Sequence, residues 1–128
     1  MRNNEEYKLC KNLALYMKLQ YPKVFYHFDA AGLNLSKAQA GMQKAIQKGR
    51  GFPDLFIAEP RGEFHGLFIE LKKEGEVLYK RNGEAVTEHV QEQINCINLL
   101  KAKGYAAVFA IGFDESKTII DSYLMYHK

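Results

Sequence analysis

The sequence is short of the features that mark several classes of protein. Its 128 residues hold two cysteines, Cys10 and Cys96, in separate helix-like segments and without C-x-x-C spacing. That argues against a disulfide framework or a thiolate metal site, and for free thiols in a reducing compartment. No apolar run approaches the roughly 20 residues that cross a bilayer, and the polar start MRNNEEYK has no signal-peptide pattern. A soluble, cytoplasmic protein is expected. Repeats, low-complexity tracts and an interdomain linker are also missing, so one domain is expected over residues 1–128. Neither charge sign dominates: 18 basic residues face 15 acidic ones, a net +3 that permits nucleic-acid binding without requiring it. What the chain does have is a 47% apolar fraction with 8 Phe and 8 Tyr, enough for a core without metal or disulfide support.

Hydrophobic spacing predicts an α/β order. Leu9, Leu13 and Met17 recur at helical spacing over residues 4–20, and Pro22 closes that segment. A short aromatic strand, KVFYHF, follows. LSKAQAGMQKAIQKG reads as a second helix, with Ser36 and Gln39 as a capping box and Gly49 as its stop. Strands are expected over 54–59 and 66–73, joined by the turn-like PRGEFH. VLYKRNGEAV reads as a hairpin with a type I′ turn at Asn82-Gly83. Thr87 caps a helix running to Lys103, Gly104 stops it, YAAVFAIG is a buried strand, and Asp114 caps a last helix to about Tyr126.

The stretch LFIELKK carries the chemistry. Side chains at i and i+2 of a strand share a face, so Glu70 and Lys72 stand together in an otherwise apolar segment. An edge strand with one solvated face is the bland explanation. The preceding strand points elsewhere. Asp54 opens an apolar run directly after Pro53 and shares a face with Phe56 and Ala58, opposite Leu55 and Ile57. If the two strands pair as an antiparallel hairpin, Asp54 comes close to Glu70 and Lys72. Two carboxylates on adjacent strands repel unless a cation lies between them, and such oxygen donors suit Mg²⁺ or Mn²⁺. Lys72 beside that ion can stabilise charge developing on a phosphate or orient an attacking water. Phosphodiester hydrolysis is the chemistry such a corner serves best.

These residues resemble a known pattern. Pro53-Asp54 followed by Glu70-Leu71-Lys72 matches the P-D…(D/E)-x-K signature of restriction-endonuclease-like nucleases. The wider run GRGFPDLFIA…GLFIELK…EQ…LLKAKGYAAVFAIGFDES…IIDSYL is similar to the virus-type replication-repair nuclease (VRR-NUC) domain in its small stand-alone form from phages and bacteria. The resemblance covers residue 49 to the end and implies a mixed sheet flanked by helices, in a bacterial or phage-infected cell. It implies metal-dependent cleavage of nucleic acid, with Asp54 and Glu70 as metal ligands and Lys72 as the catalytic lysine. It also implies that the backbone carbonyl of Leu71 reaches the metal.

Other candidates complete the site. Gln93 falls on the inward row of Val90, Ile94, Ile97 and Leu100, where an amide needs partners, and it matches the family's glutamine. Gln91 is the weaker alternative. Glu6 lies on the row of Leu9, Cys10, Leu13 and Met17, and the family often takes an acidic ligand from this helix; Glu5 is the alternative. Lys44, Lys48 and Arg50, just before Pro53, are candidate phosphate contacts, with Arg61, Lys73, Lys80 and Arg81 as possible extensions. None of the histidines shows ligand spacing; of them, His27 alone lies in the short aromatic strand.

The expectation is therefore a Mg²⁺- or Mn²⁺-dependent endonuclease for branched DNA such as four-way junctions. With one site per chain, paired cuts call for a C2 homodimer. Flap or nicking cleavage, a non-catalytic nucleic-acid-binding module on the same fold, and a plain globular protein with an ion-pair network are the alternatives.

Overall fold

The structure is a computed structural model that describes residues 4–29 and 36–126. His127 lies outside the described residues. In chain order the elements are α1 (Asn4–Gln20), β1 (Tyr26–Phe28), α2 (Lys37–Ala45), β2 (Leu55–Ile57), β3 (Leu67–Lys72), α3 (Glu88–Ala102), β4 (Ala106–Ile111) and α4 (Gly112–Tyr126). The strands form one sheet in the order β1-β2-β3-β4. The first two pairings are antiparallel and the last, β3 with β4, is parallel. A parallel pair needs a crossover, and α3 supplies it. The fold is a mixed α+β sandwich of one sheet between helices, as the sequence predicts.

The sheet has two unlike faces. Leu67, Ile69 and Leu71 of β3 join Leu55 and Ile57 of β2 against Leu9, Leu13 and Met17 of α1 and Ile120 and Leu124 of α4. The spacing of four along α1 aligns its three side chains into one stripe. On the other face Phe68 meets Ile97 and Leu100 of α3 and Ala107 of β4. Phe56 stacks on Phe68 with ring centroids 4.3 Å apart. All six residues of β3 are buried, because it has a neighbour on each edge and a helical layer on each face. The edge-strand explanation for its charges therefore fails.

Local signals mostly hold. Ser36 and Gln39 form the reciprocal capping box of α2, and the Thr87 hydroxyl accepts from Val90 N at 3.1 Å. Three expectations need correction. Helix α2 ends at Ala45 rather than running to Gly49; it buries no residue, so nothing holds a further turn. The turn in the 77–86 hairpin is not type I′, since only Gly83 has positive φ (91°) and that type needs two such residues. Gly83 N donates to Lys80 O, Asn82 Oδ1 takes Glu84 N, and the hairpin itself is a single bridge, Tyr79 with Ala85. Asp114 does not cap α4. β4 passes straight into that helix through Gly112 (φ 80°), leaving Asp114 in its first turn.

Helices α1 and α4 are clamped at one polar point. The Tyr16 and Tyr21 hydroxyls donate to Asp121 Oδ1 at 2.5 and 2.6 Å, and Lys117 Nζ donates to Oδ2 at 2.9 Å. Burial pushes the Asp121 carboxyl up, but the three donors outweigh it and hold it below its ordinary value. Burial and the same carboxylate push both tyrosines up. A carboxyl depressed on folding contributes stability that is complete above its unfolded value of 3.8 and lost as pH falls through the folded one. Asp121→Asn should therefore destabilise the fold by about 1–3 kcal/mol near neutral pH. Urea unfolding of the two proteins should converge at strongly acid pH; a difference that does not shrink there would contradict the linkage.

Candidate functional site

The site begins where the β2–β3 ladder stops. Continuing the pairing of Leu55 with Ile69 by two residues puts Pro53 opposite Leu71. Proline has no N–H to give, so that rung cannot form in the usual way. Leu71 N–H instead donates to the Asp54 carboxylate, Oδ2, at 2.8 Å. In an antiparallel pair the N–H and C=O of one residue face the same neighbour. The Leu71 carbonyl thus faces the same corner as the Asp54 carboxylate, with a proline across from it.

Alternation along β3 turns Glu70 and Lys72 to this same side, toward α3. Asp54 is 8% exposed, Glu70 4%, Lys72 7% and Gln93 4%. Charges buried so deeply cost several kcal/mol each unless partnered. Gln93 is the partner that joins them. Its Oε1 accepts from Lys72 Nζ at 2.8 Å, and its Nε2 donates to Glu70 Oε2 at 2.9 Å. Only that orientation of the amide suits both neighbours, since the reverse would set its NH₂ against an ammonium and its oxygen against a carboxylate. Lys72 Nζ also lies 4.0 Å from Glu70 Oε2, 3.7 Å from Glu76 Oε2 and 6.0 Å from the centre of the Phe109 ring.

The donor set fits a hard cation. Buried Asp54, Glu70 and Lys72 together carry a formal charge of −1, and half-buried Glu76, 3.7 Å from the ammonium, adds another negative charge. With a carbonyl at the same corner, the donors are all oxygen, the type Mg²⁺ and Mn²⁺ take. A third carboxylate does not complete the set: no group of three or more His, Cys, Asp or Glu side chains that could hold a metal occurs among the described residues. Glu6 is half-buried on α1, which packs on the other face of the sheet; Glu5 is exposed.

Several neighbours escaped the sequence reading. The amide Nε2 of Gln93 is also 3.2 Å from His89 Nε2, one helical turn earlier. An amide nitrogen only donates, so that ring nitrogen accepts, and His89 Nδ1 faces Glu92 Oε1 at 3.5 Å. The i, i+4 spacing of His89 and Gln93 was the available signal. Gly51, at φ 85°, lies directly on α3: a Cβ there would stand 2.8 Å from the backbone of Glu92 and Gln93. The loop before Pro53 is thereby seated on the helical turn that carries the bridging amide.

The basic candidates divide. Arg50 is largely exposed, with Nε 3.8 Å from Glu92 Oε1, and Lys44 and Lys48 are exposed on α2 and the loop after it. Arg61 is tied down instead, bonded to Glu59, Pro60 O and Leu124 O, where it fastens the β2–β3 turn to α4. Gln91 is exposed and bonds Asn95, so it does not enter the site. His27 is exposed on β1.

A mixed sheet between helices, with a P-D strand start beside an E-x-K strand, defines a nuclease-type domain. The chain is similar over 100% of its length, and 94% of the other's, to a solved structure titled "VRR_NUC domain protein", with TM-score 0.70 and 26% sequence identity. That likeness supports a VRR-NUC domain. No protein-family model and no curated protein matches the chain.

Removing the bridge should be felt in the fold itself. Gln93→Ala leaves two buried charges each short of a hydrogen bond and should cost about 1–3 kcal/mol. Gln91→Ala, on the exposed side of the same helix, should change stability by less than about 0.5 kcal/mol. Equal urea midpoints for the two variants would contradict the bridging role.

Proposed function

We propose that the chain is a metal-dependent, structure-specific endodeoxyribonuclease that hydrolyses phosphodiester bonds in branched DNA, four-way junctions included, as a homodimer. The observation that supports this reading is the buried set in which Gln93 bridges Glu70 and Lys72 on one face of β3, while the Asp54 carboxylate, at the start of the adjacent strand, takes the N–H of the intervening Leu71. Asp54, Glu70 and the Leu71 carbonyl would hold Mg²⁺ or Mn²⁺; Glu6, on the helix that packs the opposite face of the sheet, is not placed to join them. The ion supplies Lewis-acid polarisation of a phosphoryl oxygen and eases deprotonation of water.

The chain's own groups do the rest. Hydrolysis forms a bond from a water oxygen to phosphorus, breaks one P–O ester bond, and moves a proton from the water to the departing sugar oxygen. Lys72, held at 2.8 Å by Gln93, keeps its ammonium fixed beside the carboxylates. Its charge meets the negative charge that builds on the phosphoryl oxygens and can orient the attacking water. Gln93 prevents Lys72 from collapsing fully onto Glu70, which would spend both charges on each other. Lys44, Lys48 and Arg50 would take neighbouring phosphates and fix the strand's register without reading sequence. Paired cuts across a junction need two such sites related by a twofold axis.

Labelled four-way junctions, flaps, bubbles, linear duplex and single strands, each with Mg²⁺ and with Mn²⁺, test the reading. Cleavage should need the metal and be fastest on branched DNA. Asp54→Ala, Glu70→Ala and Lys72→Ala should each slow it by about 10²-fold or more with the fold retained by circular dichroism. Lys48→Ala and Arg50→Ala should weaken binding about equally across sequences and each lower the salt slope of binding by about 1. Binding without nicks on any substrate would hand the fold to a non-catalytic binding module.

A further inference from the structure

A groove of about 690 Å³ lies between the end of α2, the loop that follows it and the outer side of α3, with Glu92, the neighbour of Gln93, in its lining. Its size falls within the roughly 300–1,000 Å³ of small-molecule sites. Phe52 and Leu99 line it and remain 50% and 58% exposed, although each is a large apolar group with a core close by. Lys48, Arg50 and Lys103 also line it, with the Asn95 amide among them. The acidic lining groups are Asp29 and Glu92, and Glu92 already faces Arg50 at 3.8 Å. Cations therefore outnumber acids around an apolar floor.

Position sets the groove's relation to the chemistry. Phe52 stands two residues before Asp54, so their Cα atoms are at most about 7 Å apart. Phosphates along one strand of a duplex advance by roughly 3.4 Å of helix axis and lie farther apart along the strand itself. Gly51, between Arg50 and Phe52, rests on the Glu92–Gln93 backbone, so the groove wall and the bridging amide share one support. Whatever fills the groove lies within a nucleotide or two of a phosphate at the acidic corner.

The occupant should be flat, carry hydrogen-bonding edges and be attached to a polyanion. We propose that the groove takes an unpaired nucleobase of the strand being cut, with Phe52 as its stacking surface, Asn95 at its edge and Lys48, Arg50 and Lys103 on the flanking phosphates. Such a pairing of an aromatic platform with a cationic rim is how single strands are held without sequence reading. A duplex would have to unstack a base to fill the groove, at a cost of a few kcal/mol, whereas a branch point, flap or mismatch offers one already freed. The groove thus selects DNA with local single-stranded character. This rests on the nuclease reading for its biological meaning, but not for its test.

The test measures binding to the wild-type chain, without added metal, of an eight-nucleotide single strand with a central 2-aminopurine, and of the same sequence in a duplex. Stacking on Phe52 should quench the probe in the single strand. Phe52 meets Phe68 edge to face, with ring centroids 5.3 Å apart. Phe52→Ala, and Leu99→Asp as a variant at an exposed position outside that ring contact, should each lower the single-strand-to-duplex affinity ratio by at least about fivefold. Unchanged ratios in both folded variants, or a wild type without quenching, overturn the proposal and leave the groove to a protein partner. Quenching and groove dependence in a chain that cuts nothing would retain the base site and sink the nuclease reading. Cleavage without groove dependence would do the reverse.

Discussion

One amide holds the site together. Glu70 and Lys72 are fixed on the same face of β3 by the alternation of the strand, and burial removes the water that would otherwise separate them. Left alone they would close into an ion pair, and a closed pair has little charge to offer a substrate. Gln93 Oε1 takes the ammonium at 2.8 Å while its Nε2 takes the carboxylate at 2.9 Å, and the direct Nζ–Oε2 separation stays at 4.0 Å. A carboxylate at position 93 would satisfy Lys72 and repel Glu70, and a leucine would satisfy neither. Each charge is partnered yet not spent on the other.

That arrangement needs a strand buried on both faces, and the topology provides one. β3 pairs with β2 on one edge and β4 on the other, so its polar face opens toward α3 alone. The crossover that makes β3 and β4 parallel is the same helix that delivers Gln93. The aromatic layer beneath, where Phe56 stacks on Phe68 at 4.3 Å, closes the sheet's face up to the first charged position. Below that layer lies core and above it lies chemistry, with the boundary set by the change from Phe68 to Glu70 along a single strand.

Much of this was legible from the sequence because it depends on short-range periodicity. The period of two put Asp54, Phe56 and Ala58 on one face and Glu70 with Lys72 on one face, and the short PRGEFH connection suited an antiparallel hairpin. Gln93 was legible because three apolar neighbours at spacings of three, four and seven marked its side of α3. What escaped depends on contacts that periodicity does not encode. His89 reaches the site through one hydrogen bond to an amide, and Glu76 through the path of the chain after β3. The length of α2 was misread because its capping box fixes the start, while its end depends on packing it does not have. The turn at 80–83 was misread because Asn82-Gly83 suits two turn types, and the Asn82 bond to Glu84 N decides between them.

The sheet's broken rung shows why a proline stands before the aspartate. An ordinary residue at 53 would extend the ladder, its N–H bonding the Leu71 carbonyl and its own carbonyl taking the Leu71 N–H. Both polar groups of Leu71 would then be consumed by backbone. Pro53 cannot donate, and the chain's path lets the Asp54 carboxylate claim the Leu71 N–H at 2.8 Å. The bond holds the carboxylate at the mouth of the gap and leaves the Leu71 carbonyl facing a residue with no proton to give. One residue without an N–H thus changes the end of a β-ladder into a corner of oxygen atoms.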